Sequence, residues 1–347
     1  MVKRIGLAAF TALVAIGVAS PALACGGLIA PDGGVNLLRT STLAAYLDGV
    51  EHYITSFEFT GKGGGRFGSI VPLPAVPTEV KKGGRWTLQR LAEETQPPVV
   101  FSALAEESGT AVAQNAKVLL TTRVEALKIA VLKGGGDAVG RWAEEHGFLL
   151  PPDAPEVLDF YAARSPIFMA VKFDLAEARE RGLDSGDGTP VHVTIPTSNP
   201  WVPLRILGLG KAESEVIEAD VYLLTEREPN LLPEPAVSSG MILKQSGEAD
   251  ENLLRDLASD RGMGWLPTSG MWLTYLRIDA TAGELDHDLA IDALGVDQPS
   301  PLAAGLFVPD IDGGPSGDAM MWWPWAVALI LGAAVLYLTN RAATVRR

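Results

Sequence analysis

The chain has 347 residues, 47% of them hydrophobic, with 42 acidic against 28 basic side chains and a formal charge of −14. That acidity repels phosphates and disfavours nucleic acid as a partner. The single cysteine excludes an intramolecular disulfide, so stability must come from an ordinary apolar core.

In chain order, residues 1–24 read as an export signal: Lys3 and Arg4 precede an apolar run, Pro21 breaks it, and Ala22-Leu23-Ala24 is a small-x-small cleavage site. Cys25 follows directly. Cleavage before a plain Cys25 and lipidation of Cys25 are both open, although Ala22 stands where a lipoprotein signal usually has a large aliphatic residue. Residues 41–60 predict a β-hairpin closed by Asp48-Gly49, which supplies the positive-φ pair of a tight turn. Period-two spacing puts Tyr53, Thr55, Phe57 and Phe59 on one face, and His52, Ile54, Ser56 and Glu58 on a mostly wet one. After the glycine-rich turn 61–65, Pro72 and Pro74 confine residues 67–74 to an edge or an extended path outside any ladder.

Helical spacing of Leu88, Leu91 and Ala92 predicts a helix over 87–95, and residues 124–132 alternate as a strand. Asp137 is the expected N-cap of a helix over 138–146 that stops at Gly147, and a second helix covers 154–164. Strands are expected at 167–173, 191–195, 204–207, 219–225 and 272–278, with a polar turn at 184–188. Strands and helices mix without βαβ alternation, so the fold class is α+β, with a mainly antiparallel ectodomain over 25–298 as one large or two modest domains. A Pro/Gly-rich stalk (299–319) leads to a transmembrane helix over 320–340 and a basic tail over 341–347. Trp322, Trp323 and Trp325 form an interfacial belt, while Arg341, Arg346 and Arg347 place the tail in the cytoplasm and the ectodomain outside it.

The stretches Tyr46-Leu47-Asp48-Gly49-Val50-Glu51, Phe67-Gly68-Ser69-Ile70-Val71-Pro72-Leu73-Pro74, Trp142-Ala143-Glu144-Glu145-His146-Gly147-Phe148-Leu149-Leu150-Pro151, Phe168-Met169-Ala170-Val171-Lys172, Val202-Pro203-Leu204-Arg205-Ile206 and Thr274-Tyr275-Leu276-Arg277-Ile278 occur in that order. As an ordered set they resemble the bacterial domain-of-unknown-function 2330 family, and Ala24-Cys25-Gly26-Gly27 is similar to its start. The resemblance implies an exported bacterial protein, often with a C-terminal membrane segment. It implies no activity and no catalytic residues, and the second cysteine that many relatives carry soon after Cys25 is missing here.

Searches for reactive motifs yield little. Gly63-Gly64-Gly65-Arg66-Phe67-Gly68 fits a dinucleotide-binding string, but a proline-broken run follows it instead of a helix. Gly208-Leu209-Gly210-Lys211 lacks the hydroxyl residue of a phosphate loop and reads as a turn, as does the sortase-like Leu266-Pro267-Thr268-Ser269-Gly270. Gly313-Gly314 resembles a C-terminal processing signal, and Pro74-Ala75-Val76-Pro77 a polyproline ligand. The histidines His52, His146, His192 and His287 are scattered. Asp286-His287-Asp288 with Asp292, or Asp184 with Asp187, could hold a hard cation, but neither has the ladder of a calcium loop. Trp86, Trp142, Trp201, Trp265 and Trp272 read chiefly as core. The reading is a membrane-anchored envelope domain that binds or scaffolds another envelope component, with no cofactor, no metal and no nucleic acid; the alternative is an envelope enzyme assembled from distant Asp, Glu and His.

Overall fold

The computed structural model describes residues 27–29, 35–61, 68–95, 117–124, 127–173 and 190–306. At its centre β2 (Val35–Leu47) and β3 (Val50–Gly61) pair antiparallel around Asp48 and Gly49, whose φ values are 50° and 76°. The expected hairpin is present, and β2 begins six residues before the predicted strand. On the β3 side follow β9 (Val191–Pro196) and the edge strand β5 (Glu79–Lys82); on the β2 side lie β11 (Val216–Thr225), β14 (Trp272–Thr281) and the edge strand β13 (Met241–Glu248). Of these seven strands only β2 and β11 run parallel.

A five-stranded antiparallel sheet is ordered β1 (Gly27–Ile29), β4 (Gly68–Leu73), β8 (Ile167–Phe173), β7 (Leu127–Lys133), β6 (Lys117–Val124). A small third sheet places β15 (Leu289–Asp292) between β10 (Trp201–Val202) and β12 (Asn230–Leu232). The predominantly antiparallel α+β class therefore stands.

Both faces of the central strands of the seven-stranded sheet are buried, and period two sorts their residues between two cores. Ala44, Tyr53, Val193 and Val221 join Ile70, Val71, Ile129 and Met169 of the five-stranded sheet in one cluster. Leu43, Ala45, Ile54, Tyr222 and Leu224 face the other way, beneath Leu88 and Leu91 of α1 (Thr87–Thr95) and Leu253, Leu254 and Leu257 of α4 (Glu251–Ser259). Leu91, Leu253, Leu254 and Leu257 are fully buried, each stabilising the fold by about 2 kcal/mol. This helical cover corrects the wet face expected for β3: Ile54 is fully buried. The cover is fixed by Asp250, whose side chain accepts the Asn252 and Leu253 amides at 2.7 and 3.2 Å as the N-cap of α4.

Four local expectations change. Residues 68–73 pair in a ladder inside a sheet; because β1 reaches only as far as Ile70, Pro72 lies where β4 pairs with β8 alone among the described residues. Helix α2 (Gly136–Glu145) starts two residues earlier than Asp137 capping would allow, with Gly135 at its N-cap. Gly136 lets it approach α3 (Ala154–Ala162), since a Cβ there would sit 2.2 Å from Asp159 Oδ1. The expected strand 204–207 is a 3-10 helix, Arg205–Gly208. Finally, Ser300 caps a short helix α5 (Pro301–Ala304) whose Ala303 and Ala304 are buried, so the first residues of the expected stalk pack into the fold. All described residues belong to one compact unit. Among them no helix is long and apolar enough to cross a membrane; residues 320–340 lie outside them.

Candidate functional site

The densest polar chemistry lies where the three sheets meet, under a strap formed by β10 and the following 3-10 helix. Asp288, fully buried just before β15, pins this strap. Its Oδ1 accepts the backbone amides of Leu204 and Arg205 at 2.6 and 2.9 Å and the Tyr161 hydroxyl at 2.8 Å. Its Oδ2 pairs with the buried Arg164 guanidinium. Tyr161 from α3 in turn accepts the Ile206 amide at 2.9 Å. These amides would serve a sheet ladder if the segment were a strand; claimed by side chains, they allow the 3-10 turn.

Arg164 also donates to the Ala303 carbonyl at 2.6 Å. Its guanidinium lies 4.3 Å from the Phe160 ring centroid and 4.8 Å from those of Tyr161 and Trp201, a setting that suits the weakly hydrated planar cation. Burial, with the Asp288 charge alongside, raises the Tyr161 phenol well above its ordinary range, so it stays a donor to the carboxylate.

Below Trp201 sits Glu51 of β3, with no solvent exposure and neither carboxyl oxygen in a well-formed hydrogen bond, the Trp201 backbone being the one polar group close enough to act on it. Burial raises its pKa to about 8, and the Trp201 backbone only partly offsets this. Glu51 is therefore mostly neutral at pH 7. Beside it the sheet presents hydroxyls: Thr42 and Thr55, opposite each other in register, have their oxygens 3.1 Å apart. Tyr53 lies beside both on the same face, and burial pushes its phenol strongly upward.

A second cluster occupies the opposite face of the sheet. His52 Nδ1 lies 3.0 Å from His192 Nε2, and the Trp265 ring stacks on His52 at 3.6 Å and 5°. His192 Nδ1 is buried without a partner. An orphaned N–H costs more than an orphaned lone pair, which puts the His192 proton on Nε2, donating to His52. Burial lowers both imidazoles, to about 4 for His52 and about 3 for His192, with Lys81 reinforcing the effect. Metal chelation by this pair would move the His192 proton onto the partnerless Nδ1, so the geometry favours a hydrogen bond over a shared cation.

The predicted site residues fare unequally. Ala22, Ala24, Cys25, Trp322, Trp323, Trp325, Arg341, Arg346 and Arg347 lie outside the described residues, as do Asp184, Asp187, Gly63-Gly64-Gly65-Arg66-Phe67 and Gly313-Gly314. The candidate cation set disperses: Asp288 is committed to the strap and Arg164, while Asp286 is exposed and bonded to His287 at 2.9 Å. Asp292 accepts the Val296 and Asp297 amides, each at 2.7 Å. Among the described residues no group of three or more His, Cys, Asp and Glu is arranged to hold a metal. His146 stacks on Trp142 at 3.9 Å, away from the other histidines. Trp142 and Trp201 are core, whereas Trp86, Trp265 and Trp272 are half-buried. Leu266-Pro267-Thr268-Ser269-Gly270 forms bends before β14, and Gly208-Leu209-Gly210-Lys211 forms a turn. Glu51 was missed, although its phase with Tyr53 and Thr55 marks it as facing inward.

Comparison with known proteins gives a family match over residues 19–229, to a family described as uncharacterised proteins conserved in bacteria, DUF2330. A comparison with curated proteins finds no match. Two solved structures are similar: baculovirus P35, at 8% identity and a TM-score of 0.40 over 76% of this chain and 99% of that one, and a mutated baculovirus P35 after caspase cleavage, at 9% identity and a TM-score of 0.38 over 73% and 99%.

Proposed function

Since the chain belongs to the bacterial DUF2330 family, whose members are uncharacterised, we propose that it is an exported, membrane-tethered module that binds or scaffolds another envelope component without catalysing a reaction. One observation carries this reading: the groups whose chemistry is most altered, Glu51 and His192, are sealed in the interior. A catalytic acid or base must reach substrate. The cavity beside the hydroxyl row measures about 20 Å³, against roughly 300–1,000 Å³ for small-molecule sites.

In this reading residues 1–24 direct export, the span at 320–340 tethers the domain, and Arg341, Arg346 and Arg347 stay in the cytoplasm. The acidic chain disfavours nucleic acid and favours a neutral or basic protein partner. In-cell crosslinking of the tagged full-length protein, followed by mass spectrometry of membranes, tests the role. The expected result is a reproducible envelope partner that disappears when residues 25–298 are deleted. Recovery of the chain alone would overturn it and turn the search to the rival envelope enzyme.

A further inference from the structure

The row of hydroxyls on the sheet contains one that the protein leaves unanswered. Thr40 and Thr42 are two apart on β2 and so share a face, Thr55 is opposite Thr42, and Tyr53 lies two residues along β3 on the same side. Thr42 and Thr55 satisfy each other. Thr40 is 5% exposed, and its Oγ1 has no hydrogen-bond partner. All four border the cavity of about 20 Å³, whose opposite wall is strap residues such as Val202 and Ile206.

This wall is apolar and buried, so the site has a hydroxyl floor and a hydrocarbon roof. A buried water needs roughly 10–15 Å³ and two to four polar partners. The space therefore admits a water. Each threonine and tyrosine oxygen has two lone pairs and one proton, leaving spare acceptor capacity even in the bonded Thr42–Thr55 pair. The geometry points to a specific internal hydration site: one water bound to Thr40 Oγ1 and to the Thr42, Thr55 and Tyr53 hydroxyl row beneath the strap. The water completes the hydrogen bonding of the floor.

The alternative, a hydroxyl buried unsatisfied, predicts the opposite sign for an isosteric substitution. Thr40→Val keeps the shape and removes the hydroxyl. If a water is bound there, the variant strips it of a partner and destabilises the protein; if Thr40 is unsatisfied, the variant removes a penalty and stabilises it. The experiment is oxygen-17 magnetic relaxation dispersion, which counts slowly exchanging internal waters, with thermal unfolding, on the full chain in detergent. Thr40→Val should hold one water fewer than wild type and melt about 2–4 °C lower, while Thr40→Ser should keep the wild-type count. An unchanged count in Thr40→Val, or a higher melting temperature, overturns the proposal. If Thr40→Val does not fold, Thr42→Val provides the same comparison of counts.

Discussion

At the residue scale, Glu51 and the histidine pair give stability opposite pH dependences. The Glu51 pKa is raised to about 8 from 4.5. Its contribution is therefore complete below pH 4.5 and is lost as pH rises through 8, because the unfolded chain releases the proton first. His52 and His192 are lowered to about 4 and about 3 from 6.5. Their contribution is complete above pH 6.5 and is lost as pH falls through 4 and 3. Replacing Glu51 with Gln should leave stability near pH 4.5 little changed, while its advantage over wild type grows between pH 4.5 and 8 by up to about 1.4 kcal/mol per unit and then levels off. Urea unfolding at several pH values checks this, and a gap independent of pH would refute it. His192→Phe should flatten the acid limb below pH 6.5; thermal melts between pH 3 and 7 that parallel wild type would contradict the assignment of a buried neutral pair. The inward position of Glu51 was legible from its phase with Tyr53 and Thr55. Its lack of a well-formed hydrogen bond was not, because strand periodicity gives a residue's side of the sheet and says nothing of what packs on it.

At the scale of elements, the decisive structure is the strap. Its amides are bound by Asp288, 84 and 83 positions along the chain from Leu204 and Arg205. No local pattern announces that, so apolar residues 204–207 read as a strand. The 48–49 turn was legible because Asp-Gly carries its own conformational reason. Helix α1 was legible too, since Leu88 and Leu91 repeat at helical spacing. The same distant pairing removed Asp288 from the candidate cation set. Asp288→Ala leaves Arg164 charged, buried and unpaired, and should cost about 3–5 kcal/mol. Adding Arg164→Met should restore part of that loss because the orphaned cation is gone. Denaturant unfolding of both single variants and the double variant measures the coupling, and strictly additive losses would show that the pair does not act as a unit.

For the whole molecule, the question left open by the sequence was one large domain or two modest ones. Among the described residues, strand pairing joins distant parts of the chain in one sheet. β11 lies parallel to β2 from near the start of the chain and pairs over ten residues with β14 from near its end. The family match stops at residue 229, yet the seven-stranded sheet still needs β13 and β14, and the core beneath α1 needs Leu253, Leu254, Leu257, Leu273 and Tyr275 from beyond that point. A fragment of residues 25–229 would expose one side of β11 along its length, uncover Leu43 and Ile54, and strand Arg164 and Tyr161 without Asp288. A fragment of residues 25–306 keeps all of these contacts. The longer fragment should unfold in one transition with equal calorimetric and van't Hoff enthalpies, whereas the shorter one should show no cooperative transition and little amide protection from hydrogen exchange. Cooperative melting of residues 25–229 would mean that the family-matched portion folds alone and that β13, β14 and α4 are an addition to it.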